Sequence, residues 1–334
     1  MSRHVPDSAP PSWFVPSTSP SEPPPSPPRR DRGRTAAIAL AVGAACVLIG
    51  GIAAVAASLG RSGASPAAAS ALAPDRAAPR ARSAAEVNPP GQHGSPFSAA
   101  MTAYLAGRAG TVSAAVYDVR TGQTWTLGSG QPQATASIVK VDILETLLAG
   151  QPSGLSAADQ ALAQSMIEDS DNDAATALWD AAGGPAGLRS YNLTAGLRQT
   201  TPSQCLACAG FPWPGWGLTT TTPADQVLLL RQLFAGPLLS PADRQYAMSL
   251  MENVEPGQRW GVSTGVPAGV SVALKNGWVP LTAPDANWQI NSEGWISGDG
   301  RDYLVAVLAT GNPSEQYGID TIDALSAQLW NSMG

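Results

Sequence analysis

Residues 35–60, TAAIALAVGAACVLIGGIAAVAASLG, carry no charged side chain. Nothing else in the sequence restricts the fold as strongly. A run of this length and hydropathy crosses a bilayer as a helix. Four arginines precede it in RRDRGR, residues 29–34, and only Arg61 follows closely. Positive charge collects on the cytoplasmic side of a spanning helix, so the N-terminus is expected inside and the rest outside. Two other readings stay open. A signal peptide cleaved after AVA at 54–56 would release a secreted protein, although the run is long for that role. A lipoprotein would use Cys46, but Gly43 stands three residues before it and the apolar run continues well past it. All three readings export the C-terminal part.

The flanks differ in kind. Residues 1–28 are rich in Pro and Ser and cannot bury enough apolar surface to fold. Residues 1–34 are therefore expected to form a disordered cytoplasmic tail with a basic flank, and 35–60 a signal-anchor helix. Residues 61–94 form an Ala/Pro/Ser-rich linker without periodicity. Residues 95–334 are predicted to be one folded, monomeric domain.

In that domain the apolar spacing changes from period 2 to period 3.6 and back. TVSAAVYDV-RTGQ-TWTLG reads as a hairpin turning at Gly122. Helices are expected from about Ser137 to Ala149, over SAADQALAQSMIE and DAATALWDAA, over the Pro-started segments PADQVLLLRQLFAG and SPADRQYAMSLMENV, and over the C-terminal YGIDTIDALSAQLWNSM. VSVALKNGWV, NWQINSEGWIS and DYLVAVLAT read as strands, and residues 184–222 as loop-rich. Strands at both ends with helices between them predict an antiparallel sheet and an inserted helical subdomain.

The available chemistry is narrow. The net charge of −6 and pI near 4.9 argue against a nucleic-acid partner. The two histidines, His4 and His93, both precede the domain. A Ser-His-Asp triad and a histidine-based zinc site are thus out of its reach, and no metal or cofactor is expected. The chain has only two lysines, Lys140 and Lys275, and takes its other strong positive charge from arginine. Arginine stays protonated in proteins, whereas a buried lysine can give up its proton.

Ser137 and Lys140 are three apart at a predicted helix start, with Cβ atoms about 5–6 Å apart on one face. Free N–H groups and the helix dipole at that end favour an alkoxide-like nucleophile and can form half of an oxyanion hole. The plain alternative is an N-cap serine and a solvated lysine. Ser170-Asp171-Asn172 lies between two predicted helices, where Ser or Asp could simply cap the second. A calcium loop over DSDND fails because Ala174 occupies the required glycine position. Functionally, Ser170 offers a proton relay and Asn172 a contact to a substrate amide. Lys275-Asn276-Gly277 lies on a predicted strand, either an exposed residue beside a glycine bulge or an anchor for a substrate carboxylate. Trp278 would follow it with an oxyanion N–H.

SIVK, SDN and KNG, in this order, resemble the S-x-x-K, S-D-N and K-T-G motifs of the active-site-serine penicillin-recognising family, which includes class A β-lactamases and penicillin-binding proteins. LTTTTPADQ and VPAGVSVALKNG resemble the family's stretches around the omega-loop end and the K-T-G strand. The likeness covers about residues 95–334. It implies an α+β fold of two subdomains: a five-stranded antiparallel sheet with flanking helices, and an all-helical part. It also implies Ser137 as nucleophile, Lys140 as general base and Ser170 as relay. Asn172, Lys275, Asn276, Gly277 and Trp278 would be substrate contacts. Substrates would be small β-lactams or peptidoglycan stem peptides.

Two departures bear on turnover. Class A enzymes use an omega-loop glutamate to activate the deacylating water, but no Asp or Glu lies between Asp180 and Asp225. Asn276 replaces a hydroxyl residue. The expected activity is therefore acyl-enzyme formation at Ser137. A D-Ala-D-Ala carboxypeptidase or transpeptidase and an acylated, non-turnover sensor are the alternatives. Cys205 and Cys208 are expected to form a disulfide in an oxidising compartment. Trp213, Trp216, Trp278, Trp288 and Trp295 are candidate cleft residues, with a stacking role considered for the Trp213–Trp216 loop.

Overall fold

The computed structural model describes residues 94–208, 214–281 and 287–334. The expected tail, membrane helix and nearly all of the linker lie outside the described residues, as does Trp213. No helix among the described residues is long and apolar enough to cross a membrane.

The chain runs α1 (Ala99–Ala106), β1 (Thr111–Asp118), β2 (Thr124–Leu127), β3 (Gln133–Ala134), α2 (Val139–Gly150), α3 (Ala157–Glu168), α4 (Asn172–Ala181) and α5 (Gly184–Ala195). It continues with β4 (Thr220–Thr221), α6 (Pro223–Ala235), α7 (Pro241–Glu252), β5 (Ser271–Leu281), β6 (Asn287–Gly298), β7 (Arg301–Asn312) and α8 (Glu315–Ser332). Five strands form one antiparallel sheet in the order β2-β1-β7-β6-β5, while β3 and β4 pair separately. The first two strands of the large sheet come from the start of the domain and the last three from its end. This is the α+β architecture expected from the sequence.

The helix ends follow local chemistry. Ser98, Ser156, Asp171, Thr222, Ser240 and Ser314 each accept a backbone N–H of the first turn. Gly122 turns the first hairpin at φ 72°. The loop-rich reading of residues 184–222 needs correction, because α5 occupies its start. Gly and Pro at 183–185 look like a turn, yet Gly183 caps the helix in a left-handed conformation and Pro185 fills its first turn. Leu188, Tyr191, Asn192 and Ala195 then bury one face at helical spacing.

The sheet is covered on both faces. Phe234 of α6 meets Trp295 of β6, whereas Gly318 of α8 meets Ile290, which points from the opposite face of that strand. β5 is the edge strand, and its free side faces the turn Ala136–Ile138 that leads into α2.

Candidate active site

Ser137 lies in that turn, a single 3-10 segment running straight into α2. Ala136, just before it, has φ 46°. A left-handed backbone on a residue with a Cβ costs about 1–3 kcal/mol and needs outside support. Asn291 of β6 supplies it: its Nδ2 donates to the carbonyls of Ala134 and Thr135 at 2.9 and 2.7 Å. The N–H of Thr135 donates to the Thr219 carbonyl at 2.8 Å. From β5, Gly277 closes on the same turn. A Cβ at 277 would lie 2.7 Å from Ser137 N and 2.8 Å from Ile138 N, so only glycine permits this approach.

One turn further along α2, Lys140 is fully buried. Its Nζ meets three oxygens: the Ser170 carbonyl at 2.6 Å, Asn172 Oδ1 at 2.8 Å and Ser170 Oγ at 3.0 Å. Two of these only accept, but a serine hydroxyl can accept or donate. The same three contacts therefore satisfy the ammonium, as three donors, and the neutral amine, as two donors and a lone pair. Ser170 is aimed by its own left-handed backbone, φ 57°. Asp171 turns away from both: its Oδ1 accepts the Ala174 N–H at 2.6 Å and caps α4.

Lys275, also fully buried, reaches the same hydroxyl from the sheet. Its Nζ lies 2.9 Å from Ser170 Oγ and 2.9 Å from the Asn276 carbonyl. One serine oxygen thus joins the chain's only two lysines. Burial lowers the Lys140 pKa to about 6, helped by neighbouring Lys275 and opposed by Asp171. Burial lowers Lys275 to about 7, opposed by Glu293 and Glu255. Near neutral pH this arrangement can hold one amine charged and the other free, with a hydroxyl to pass a proton between them.

Ser137 is half-buried and lines a cleft with Asn172, Trp216, Leu218 and Trp278. Its Oγ has no hydrogen-bond partner among the described residues. The bonds of Lys140 go to the Ser170–Asn172 turn instead. Trp216 stands beside that amine, its ring centroid 5.1 Å from Lys140 Nζ and its Nε1 donating to Thr176 Oγ1 at 3.2 Å. An apolar wall, not an acid, thus stands on this side of the cleft. Cys205 and Cys208 form a disulfide that backs this wall. Gly215 packs on Cys208 Sγ and donates its N–H to the Cys205 carbonyl at 2.8 Å.

Other expected residues lie elsewhere. Asn276 is fully buried, and its Nδ2 donates to the carbonyls of Gln258 and Trp260 at 2.7 and 3.0 Å. Those bonds tie β5 to the segment before it rather than serve the cleft. Trp295 packs on Phe234 and donates to Asp302 at 2.6 Å, and Trp288 is partly buried against the core. Neither lines the cleft beside Ser137.

Sequence reasoning missed Asn291 and three buried acids, Asp142, Glu145 and Glu293. A signal was present for two of the acids. Asp142 and Glu145 interrupt VKVDILETLL, a helix whose first ten residues are all buried.

The sequence profile described as "Beta-lactamase enzyme family" matches residues 145–333, which starts beyond Ser137 and Lys140. The protein named "Putative lipoprotein LppW" from Mycobacterium tuberculosis (strain ATCC 25618 / H37Rv) is 31% identical over 208 residues, or 59% of this chain and 62% of that protein. Among solved structures, an ancestral class A β-lactamase superposes with a TM-score of 0.58 at 24% identity, covering 70% of this chain and 98% of its own. A class A β-lactamase from Bacteroides cellulosilyticus DSM 14838 gives 0.60 at 17% identity, covering 70% and 95%. A β-lactamase from Xanthomonas campestris pv. campestris gives 0.59 at 21%, covering 70% and 96%. These likenesses establish the fold. The profile match runs through more than half of the sequence, and the chain belongs to the β-lactamase enzyme family.

Proposed function

We propose that residues 95–334 form an exported serine hydrolase that opens amide or cyclic amide bonds through an acyl-enzyme at Ser137. The observation that carries this reading is the convergence of Lys140 and Lys275 on Ser170 Oγ, at 3.0 and 2.9 Å. Neutral Lys140 takes the Ser137 proton as Oγ attacks the carbonyl carbon. The N–H groups of Ser137 and Trp278 receive the developing oxyanion, an arrangement supported by the close approach of Gly277 to Ser137 N. As the C–N bond breaks, the Ser170 hydroxyl passes its proton to the leaving nitrogen and is refilled from a lysine. Asn172 holds the substrate amide, and charged Lys275 attracts a substrate carboxylate.

Deacylation needs a base for water, and no acid lies between Asp180 and Asp225 to serve as one. The acyl-enzyme is therefore expected to persist. That absence favours a second reading, a D-Ala-D-Ala carboxypeptidase or transpeptidase that uses the same residues. Mass spectrometry after incubation with a penicillin tests the core reading. A stoichiometric adduct on Ser137, absent in Ser137→Ala, is expected; a folded protein without an adduct overturns it. Release of D-alanine from a muropeptide would select the second reading.

For membrane attachment, residues 35–60 serve as the spanning helix, 1–34 as the cytoplasmic tail and 61–94 as the linker. The lipoprotein name of the mycobacterial relative makes Cys46 the rival anchor. Metabolic labelling with a fatty acid, lost in Cys46→Ser, would select lipidation over a spanning helix.

A further inference from the structure

Gln289 and Asn291 are alternate residues of β6, so their side chains share one face, and both are fully buried. Asn291 Nδ2 gives both hydrogens to the Ala134 and Thr135 carbonyls, at 2.9 and 2.7 Å. Backbone carbonyls only accept, so this amide can stand only one way round, with Oδ1 facing Gln289. The atom that meets Oδ1 must then be a donor, and Gln289 Nε2 lies 2.6 Å from it. The second hydrogen of Nε2 goes to Gln133 Oε1 of β3 at 3.0 Å, which leaves Gln133 Nε2 for Ser113 Oγ of β1 at 3.5 Å. Two carbonyls at the entry to the Ser137 turn thus set the polarity of every amide in this series.

The cost of the arrangement falls on Gln289. Its Oε1 is buried with no hydrogen-bond partner among the described residues. An apolar residue of like size would avoid that; what glutamine adds is the pair of donors. The sheet is also irregular at this point. The β6–β7 register shifts between Trp288 and Ile290, and Gly311 on the opposing strand takes φ 76°. Such irregularities re-aim side chains beside active sites.

We infer that Gln289 is a positioning residue for Ser137: by donating to Asn291 Oδ1 it locks the amide that holds the left-handed turn at Ala136, and so fixes the backbone N–H and hydroxyl of the nucleophile. This rests on the reading of Ser137 as nucleophile given above. Among the described residues no other group donates to Asn291 Oδ1. Without Gln289 that oxygen would be buried and unpaired, and Asn291 could relieve it only by turning its amide away from the two carbonyls. The Thr135 N–H bond to Thr219 and the close approach of Gly277 would remain, so the turn would loosen rather than unfold.

Full-length Gln289→Met removes both donors at similar volume. The limiting rate of acylation by a penicillin is expected to fall about tenfold. The half-saturating concentration should change by about twofold or less, because Asn172, Lys275 and Trp278 keep their places. A double-mutant cycle shows whether Gln289 acts through Asn291. Adding Gln289→Met to Asn291→Ala should slow acylation no further, whereas a purely structural role would multiply the two losses. A wild-type limiting rate in Gln289→Met, or independent losses in the cycle, overturns the inference. Gln289→Leu is read in the same way should the methionine variant fail to fold.

Amide hydrogen exchange needs no substrate. The N–H groups of Thr135 and Ile138 donate to the Thr219 and Thr135 carbonyls. In Gln289→Met, exchange over residues 133–139 should quicken about tenfold more than exchange in β7, which separates loosening of the turn from loss of global stability. Equal changes in the two segments overturn the inference. If the wild-type protein forms no adduct on Ser137, quickened exchange still upholds the support of the turn, and only the reading of Ser137 as nucleophile falls.

Discussion

Two sides of the first half of α2 both bury ionisable groups, and they do so differently. At its start, Lys140 is surrounded by three oxygens at 2.6–3.0 Å, one of which can reverse its hydrogen bond. Further in, Asp142 and Glu145 each meet a neutral donor, and Glu145 Oε1 meets none. Burial pushes Asp142 up to about 7 and Glu145 well above the usual carboxylate range. The first arrangement accepts either protonation state without moving a heavy atom, because the Ser170 hydroxyl can turn its hydrogen, as a group that transfers protons requires. The second holds its protons and changes only with pH. Both are buried polar clusters; what separates them is whether every hydrogen-bonding site is matched.

The contrast can be broken most forcefully at the start of the helix. Ser137→Ala should lower acylation by about a thousandfold or more, read as adduct formation by mass spectrometry with folding checked by circular dichroism. Gly277→Ala is expected to cost about a hundredfold, since a methyl 2.7 Å from Ser137 N must displace the nucleophile's backbone. Acylation rates should show this before Tm does.

The pH dependence sharpens the comparison. With Lys140 lowered to about 6, acylation should rise through about pH 6 as the amine loses its proton, changing about tenfold per unit below that point. Lys140→Arg, permanently charged, should remove both the rise and the activity. Asp142 predicts the opposite slope, in stability. Its pKa is raised from 3.8 to about 7, so between those values the folded state holds a proton that the unfolded state has lost. The stability this contributes is complete below about pH 4 and is lost as pH rises through about 7, at no more than about 1.4 kcal/mol per unit. Asp142→Asn should make the fall of Tm between pH 4 and 7 shallower, with buried Glu145 and Glu293 keeping part of the slope, and leave the acylation limb at pH 6 in place.

The smallest effect is expected at the wall. Replacing Cys205 and Cys208 by serine opens a very short loop and should cost about 2 kcal/mol or less. Thermal unfolding would measure it.

SIVK, SDN and KNG were legible because each is local: a helix start, a helix junction and a strand place a few neighbouring side chains by backbone geometry alone. The caps and most strand and helix identities were legible for the same reason. α5 was not, because its Gly-Gly-Pro opening imitates a turn and only the buried face of Leu188, Tyr191, Asn192 and Ala195 settles it as a helix. Asn276 looked like a substrate contact by its place in a motif. Its amide is instead used by two carbonyls brought in from Gln258 and Trp260.

The sequence alone determined that the domain has no histidine, that two lysines are its only titratable amines outside the chain start, and that no acid is available between Asp180 and Asp225. These are matters of inventory, and folding cannot alter them. Tertiary structure decided that both lysines reach one serine, that Ala136 and Ser170 take left-handed backbones, and that Glu293 pairs across the strands with Lys275. Those outcomes depend on which distant segments share a buried volume, because a side chain's charge and hydrogen bonding follow from the neighbours that replace its water.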